Sequence, residues 1–248
     1  MTRRFFRLAI ASGILSLMIA ATVAAQDFHK SYKLGAGGQI HIGNVSGDVK
    51  VSGYDGDAVI VRGFKEGPDS DRLDVEDRSS EGRVEVGVHY PRNCNCEASI
   101  RFEVQVPRSV KYDFDHISSV SGNVEVSNVS GRIHAGSVSG QVKVHDVNGS
   151  VTAKSVSGDV EVEIRRLDST TDDMKFSSVS GDVNVQMPSE IDADVDMSSL
   201  SGGIKTDFPI EVTKERYGPR TSARGKLGTG ARRLQMSSVS GSLSLRRS

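Results

Sequence analysis

Asp159 and Asp182 hold the same position in two copies of one short motif, Val-Ser-Gly-Asp-Val, at residues 156–160 and 179–183. If the copies stack as neighbouring strands, the two carboxylates lie about 4.8 Å apart. Carboxylates that close repel, so a raised pKa or a bound cation would be needed, and a pair about 5 Å apart also suits retaining glycoside hydrolysis. The simpler interpretation is a pair of solvated turn residues. We therefore assign no catalytic residue, metal or cofactor, and keep Asp159 and Asp182 only as candidate cation ligands.

Cys94 and Cys96 are the only two cysteines of the chain. In an exported protein they are expected to be oxidised. A bridge between residues two apart needs a turn, which the sequence Pro-Arg-Asn-Cys-Asn at 91–95 can supply. Two alternatives stay open, a disulfide to another chain and a metal site with His89 as a third ligand.

A basic segment at residues 211–233 contrasts with an otherwise acidic chain. Its basic residues are Lys214, Arg216, Arg220, Arg224, Lys226, Arg232 and Arg233. Such a loop can meet acidic glycans, lipid headgroups or the phosphates of lipopolysaccharide, and the alternative is an ordinary solvated loop. The formal net charge of −1 gives no electrostatic reason to expect nucleic-acid binding.

The N-terminus has the pattern of a secretory signal peptide. Three arginines precede an apolar run from Leu8 to Ala25, which ends in small residues. This pattern predicts cleavage near Ala25 and an exported protein, periplasmic or at the cell surface. The export route, general secretory or twin-arginine, stays open, as does an uncleaved anchor. The chain after residue 25 has no second apolar stretch and is expected to be soluble.

The elements that must position all these residues are short repeated strands. The motif Val-Ser-Gly-x-Val recurs, and from Gly122 to Gly158 a glycine recurs at a fixed step, at 122, 131, 140, 149 and 158. Alternate copies resemble each other most, since Ser-Val-Ser-Gly occurs at 119–122, 137–140 and 155–158. A fixed period indicates a stack of one small unit. We predict a coil of about 18 residues with two strands per turn, lengthened to about 23 and about 21 residues in later coils.

Residues 120–126 illustrate the predicted strand and corner. Their alternation predicts Val120, Gly122, Val124 and Val126 on the buried side, and Ser-Gly supplies the bend. Parallel stacking of such units predicts an all-β fold, a right-handed parallel β-solenoid of the β-helix type with about 18–23 residues per coil. Stacking also predicts a surface row of alternating charge that fixes the register. That row contains Glu125, Lys143, Glu161, Asn184 and Lys205.

The regular period weakens before Gly122, which suggests a division of the chain. We predict a signal peptide at 1–25, an irregular N-terminal β region at 26–115 and the solenoid array at 116–248. The segments 83–90 and 99–106 alternate as ordinary strands, and we expect them to be antiparallel. A solenoid needs a cap over its first coil, and residues 26–115 are expected to provide it.

Four short motifs occur at particular places in the chain: Ser-Gly-Asp-Val at 157–160 and 180–183, Tyr-Asp-Gly-Asp at 54–57, Val-Pro at 106–107 and Gly-Thr-Gly at 228–230. In these motifs the chain resembles a family of exported bacterial envelope proteins known as candidate adhesins, a domain of unknown function. The resemblance covers most of residues 30–245. The resemblance implies a β-solenoid and an exported location. It implies no catalytic residues.

Three classes of function are compatible with these observations. The leading hypothesis is a non-enzymatic adhesin-like scaffold that binds an envelope glycan, lipopolysaccharide, a protein partner or itself through extended β faces. Self-association is expected at the C-terminal strand 240–245, because little sequence follows to cover its edge. The alternatives are a carbohydrate-active β-helix enzyme, by analogy of fold, and a periplasmic sensor or regulator of envelope stress.

Overall fold

The computed structural model describes residues 27–92, 95–168, 172–214 and 218–248, so the predicted signal peptide lies outside the described residues. The described ranges contain strands and one 3-10 turn at Ser70–Arg72, and no helix in them is long and apolar enough to cross a bilayer. The strands are β1 (Phe28–Tyr32), β2 (Gln39–Ser46), β3 (Val49–Tyr54), β4 (Val59–Glu66), β5 (Asp74–Asp77), β6 (Arg83–His89), β7 (Ser99–Pro107), β8 (Lys111–Ser121), β9 (Val124–Ser127), β10 (Ser130–Ser139), β11 (Val142–Ser157), β12 (Val160–Arg166), β13 (Met174–Ser180), β14 (Val183–Met187), β15 (Ala193–Ser199), β16 (Ile204–Thr206), β17 (Glu211–Lys214), β18 (Thr221–Leu227), β19 (Arg232–Ser240) and β20 (Leu243–Arg247).

The strands stack in parallel on two faces around one hydrophobic core, which confirms the all-β solenoid prediction. The first face runs in the order β6, β2, β8, β10, the second half of β11, β13, β19 and β15. The second face runs in the order β7, β3, β9, the first half of β11, β12, β14, β20 and β16.

The register between neighbouring strands gives the length of each coil. Ile133 pairs with Val151 in the regular part of the stack. Val160 pairs with Val183 across the first lengthened coil. Both spacings agree with the coil lengths that the repeat predicts, because valine and isoleucine at equivalent positions fill the same layer of the core.

The Ser-Val-Ser-Gly motif holds one coil to the next by its first serine and its glycine. Ser137 is buried, and its hydroxyl donates to the carbonyl of Gly122 in the neighbouring coil at 2.8 Å. Gly140 lies directly over the same carbonyl, and a Cβ there would be 2.2 Å from it. The same serine-to-glycine bond joins six neighbouring pairs of coils, through Ser119, Ser137, Ser155, Ser178, Ser238 and Ser199.

The valine of this motif lies on the opposite side from the one predicted. Val120 is 45% exposed, whereas Ser119 before it is 3% exposed. The corner begins one residue earlier than strict alternation implies, because the buried serine must reach the glycine carbonyl. Val120 and Ser121 then both point outward, and Val124 is the next residue of the motif in the core.

The C-terminal coils stack in an order that differs from their order in the chain. The last coil, β19 and β20, lies between the coil of β13 and β14 and the coil of β15 and β16. Gly241 therefore stacks on Gly181, and Gly202 stacks on Gly241. The expectation that segment 240–245 offers a free strand edge is wrong, because β20 is hydrogen-bonded on both sides.

The N-terminal coils show the same exchange of order. The coil of β2 and β3 lies between β6 and β7 on one side and β8 and β9 on the other. The antiparallel pairing expected for 83–90 and 99–106 is found on one side of each strand, between β6 and β5 and between β7 and β4. On their other sides, β6 pairs with β2 and β7 pairs with β3 in parallel. Regular stacking thus extends into 26–115, and the boundary predicted at 115/116 falls within β8.

Antiparallel strands close both ends of the stack. At the N-terminal end, β5 pairs with β6, and β4 pairs with β7 and with β1. At the other end, β18 pairs with β15 and with β17. These additions cover edges of the parallel sheets, whose open hydrogen-bonding groups would otherwise invite association.

Candidate functional site

Asp159 and Asp182 do lie on neighbouring coils, and each accepts a backbone hydrogen bond. The Asp159 carboxylate accepts from the Asp182 N–H at 2.8 Å, and the Asp182 carboxylate accepts from the Ser242 N–H at 2.7 Å. Asp48 accepts in the same way from the Asn123 N–H at 2.7 Å. These side chains form a ladder that ties each corner to the next. Among the described residues, no group of three or more His, Cys, Asp or Glu side chains is arranged to hold a metal ion.

The structure describes only one of the two cysteines. Cys96 is disulfide-bonded, and Cys94 lies outside the described residues. The local bridge between them therefore stays a prediction. Cys96 lies before β7, at the N-terminal end of the stack.

The segment 211–233 is an antiparallel hairpin followed by the start of the last coil. Arg224 forms an ion pair with Asp196 of β15 at 3.4 Å. Lys226 pairs in register with Asp194 of the same strand. Lys214 and Arg220 lie towards the tip of the hairpin, and Arg216 lies outside the described residues. The hairpin covers the end of the first face, so several of its basic side chains serve that contact.

Arg232 and Arg233 belong to β19 and lie apart from the hairpin tip. Arg232 is buried and donates to the Asp168 carbonyl at 3.1 Å. The Arg233 N–H donates to the Asp173 carboxylate at 3.1 Å. The six described basic residues of the predicted binding loop are thus divided among the hairpin, the core and the outer surface.

A groove of about 710 Å³ crosses the outer side of the second face. Buried valines of β11, β12 and β14 form its floor. Its polar lining consists of Glu125, Lys143, His145, Glu161, Glu163, Asn184, Gln186 and Arg246. Carboxylates, amides and cations therefore succeed one another along the stack at the strand spacing of about 4.8 Å.

The predicted row of alternating charge forms one side of this groove as far as Asn184. The prediction that Lys205 follows Asn184 is wrong, because Ser244 of the last coil lies between them. Lys50 contacts Glu125 at 3.3 Å, and Lys143 contacts Glu161 at 3.2 Å. His145 lies 3.3 Å from Glu125. Burial alone would raise the pKa of Glu125, but the hydrogen bonds from His145 and Lys50 outweigh it and hold the pKa below its ordinary value.

The second row of the groove was missed by the sequence analysis. It contains His145, Glu163, Gln186 and Arg246. The first three of these residues could have been predicted, because each lies two residues after a member of the first row and so points to the same side of the sheet. Arg246 could not be found in this way, because it faces Gln186 only where β20 stacks on β14.

A second groove, of about 530 Å³, lies on the outer side of the first face. It contains His116 and His134, and the ring of His116 stacks on that of His41 with centroids 4.7 Å apart. Burial, followed by the neighbouring His41, lowers the pKa of His116 below its ordinary value. The cluster joins β2 to β8, so it exists only because the coil of β2 and β3 lies against the coil of β8 and β9.

Taken together, the fold and its surfaces define a parallel β-solenoid with long polar rows and open grooves. The chain belongs to the Toastrack DUF4097 family, whose model matches residues 103–246. This confirms the resemblance to a family of candidate adhesins that is a domain of unknown function. Among curated proteins, none matches the chain.

Two solved structures are similar in outline. A cell-adhesion candidate from Clostridium sporogenes has 9% sequence identity and a TM-score of 0.39, covering 89% of this chain and 99% of its own. An adhesin candidate from Bacteroides fragilis has 14% identity and a TM-score of 0.40, covering 89% of this chain and 96% of its own.

Proposed function

We propose that this protein is an exported, non-enzymatic scaffold of the bacterial cell envelope that binds a glycan chain along the second face. The groove of about 710 Å³ carries this proposal, because its polar side chains recur along the stack. A hydroxyl-rich polymer both donates and accepts hydrogen bonds, and the groove offers carboxylates, amides and cations in alternation. An adhesin-like role would follow from such binding at the cell surface.

The electrostatics of the groove favour binding over catalysis. Glu125 and Glu161 are each matched with a cation, Lys50 and Lys143 respectively. A general acid for glycoside cleavage needs a carboxyl whose pKa is raised, whereas the pKa of Glu125 is lowered. Asp159 and Asp182, the pair considered from the sequence, are engaged with backbone N–H groups.

Two observations support an exported location. The segment 1–25 has the pattern of a secretory signal, and Cys96 is disulfide-bonded, as expected in an oxidising compartment.

Lipopolysaccharide phosphates remain a ligand to test, since Lys214, Arg220 and Arg224 lie on the hairpin at the end of the stack.

Binding of the protein to purified envelope glycans and to lipopolysaccharide, measured by calorimetry over a range of salt concentrations, tests the proposal. The double variant Asn184→Ala, Gln186→Ala removes two amides of the groove and should weaken glycan binding about 30-fold, from two hydrogen bonds of about 1 kcal/mol each. Gln235→Ala removes an amide from the first face and should leave binding unchanged.

Four results would count against this function. No binding to any glycan, or an equal loss in the Gln235→Ala control, would show that the groove is not the site. Released oligosaccharide would favour the carbohydrate-active enzyme. Binding to lipopolysaccharide alone, with steep salt dependence and no effect of the groove variant, would move the site to the basic hairpin.

A further inference from the structure

Seven aliphatic side chains form an unbroken ridge along one corner of the stack. Each is the residue between the two serines of the motif or its equivalent, and each is 43–50% exposed. In spatial order the ridge consists of Val45, Val120, Val138, Val156, Val179, Val239 and Leu200. Single exposed valines need no explanation, but a contiguous apolar row marks an interaction surface.

The architecture of the coil does not require an aliphatic residue at this position. The first serine of the motif is buried and bonds to a glycine carbonyl, and the glycine has no room for a Cβ. The exposed valine fills no part of the core. The regular recurrence of an apolar side chain there is therefore unexplained by the fold itself.

A trough of short side chains runs beside the ridge on the first face. It is formed by the residues two positions before those of the ridge, namely Gly43, Ser118, Gly136, Lys154, Ser177, Ser237 and Ser198. Towards the C-terminal end the trough deepens into a groove of about 370 Å³, with Val179, Val239 and Leu200 along one wall and serines along its floor. Arg220 of the hairpin also lines this groove.

We propose that two copies of this chain associate through this surface, the ridge of each lying in the trough of the other. The ridge and the trough have the same period, one residue per strand spacing of about 4.8 Å. A second copy therefore matches this surface along its length. Such an arrangement is two-fold and self-complementary, as in most symmetric dimers.

The location of the two-fold axis follows from Lys154, the one long side chain of the trough. An axis near Val179 aligns five coils of each copy and keeps the two Lys154 ammonium groups apart. The ridge and trough of those coils would together bury roughly 1,000–1,200 Å² of surface in the dimer, at the lower end of specific interfaces. We expect a dissociation constant of the order of 1–10 μM, which would make the dimer dependent on local concentration.

Sedimentation velocity of the protein produced from its full sequence, over a range of concentrations around this constant, tests the proposal. The wild type should shift from monomer to dimer. Val179→Glu places two carboxylates at the axis and should abolish the dimer, a loss of at least 100-fold in affinity, as should Val179→Lys. An equimolar mixture of the two variants should restore association, because opposite charges then meet across the axis.

Val212→Glu is the matched control, since Val212 is 42% exposed on β17 and lies outside the ridge. It should leave the dimer intact, and circular dichroism should show that all variants remain folded. Ser177→Arg, which fills the trough without removing apolar surface, should weaken association at least tenfold.

A wild type that stays monomeric at every concentration overturns the proposal. A monomer that instead binds phospholipid vesicles through Val179 would show that the ridge meets a membrane. Failure of glycan binding would leave this proposal intact, because the groove of the second face and the ridge are different surfaces and are tested by different variants.

Discussion

The central coils and the C-terminal coils are built from the same motif but assembled differently. From β8 to β14, each coil stacks on the one that precedes it in the chain. After β14, the next coil in sequence consists of β15 and β16, but it does not stack on the coil of β13 and β14. The last coil, β19 and β20, lies between them. The contacts within each region are nevertheless the same, since Ser199 bonds to Gly241 as Ser155 bonds to Gly140.

This difference teaches that the motif encodes how two coils touch, but not which two coils do so. Any copy with a buried serine, a glycine and a small corner can lie against any other copy. The segment between β16 and β19 decides the order, because it forms the antiparallel hairpin of β17 and β18 on the outer side of β15. The chain must then return to the inner side.

Deleting residues 232–248 should have the largest effect on the stability of the C-terminal region. It removes the coil that lies between β14 and β16, so residues 193–231 lose their parallel partners. We expect these residues to lose all protection in hydrogen exchange, because the lost contacts are comparable with the whole stability of a marginal domain.

Removal of residues 1–32, whose described part carries the edge strand β1, is the control for that truncation. It should leave protection of 111–187 unchanged. Continued protection of 193–206 in the C-terminal truncation would mean that β15 and β16 stack directly on β13 and β14, as their order in the chain implies.

Alanine at the stacked glycines sharpens the comparison between the two regions. In the central region, a Cβ at Gly158 would be 2.3 Å from the Gly140 carbonyl, and at the C-terminal end a Cβ at Gly241 would be 2.0 Å from the Gly181 carbonyl. Because backbone must shift in both cases, each substitution should lower the free energy of unfolding by about 1–3 kcal/mol in urea titrations.

Gly203→Ala is the matched control, because nothing lies within 4 Å of a Cβ at that position. Its effect should stay within about 0.5 kcal/mol. A Gly241→Ala variant as stable as the wild type would contradict the stacking of the last coil on Gly181.

The smallest expected effect is a pH dependence of stability that arises at His116, where β8 pairs with β2. Burial, and then the neighbouring His41, lowers the pKa of His116, so the fold favours its neutral form. Protonation then favours the unfolded chain, and stability should fall as the pH drops below about 6.5, the ordinary value. Since His116 is partly exposed, we expect less than about 1 kcal/mol.

Urea midpoints measured between about pH 7.5 and about pH 5.5 check this dependence. His116→Asn should reduce the slope relative to the wild type, and His29→Asn, on the edge strand β1, should not. An unchanged slope in His116→Asn would mean that the contact between β2 and β8 does not control the titration of this histidine.

Much of the central fold could be predicted from the residues. The regular step of the glycines and the resemblance of alternate copies predict a coil of two strands and its regular register. The insertion before β13 predicts the longer register of the coil that follows. The outward position of Val120 could not be predicted from alternation, because the hydrogen bond of Ser119 to Gly47 places the corner. That bond joins coils that are far apart in the chain.

The candidate site was predicted in part. Glu125, Lys143, Glu161 and Asn184 lie in one row of the second-face groove, as the repeat implies. The aspartate pair lies on neighbouring coils, but its carboxylates accept backbone N–H groups. The basic residues of 211–233 are adjacent in sequence and yet divided in space, since a hairpin and the buried start of β19 separate them.

The sequence by itself determined the local unit, which is a short strand followed by a glycine corner. This pattern lies within one short segment and repeats along the chain, so a period is enough to reveal it. Only the tertiary structure decided the order of the coils at both ends, the partner of Arg246 and the continuity of the aliphatic ridge. Each of these depends on which coils lie next to each other. Because the coils carry the same motif, their local sequences do not specify their neighbours, and the connecting segments decide where each coil can lie.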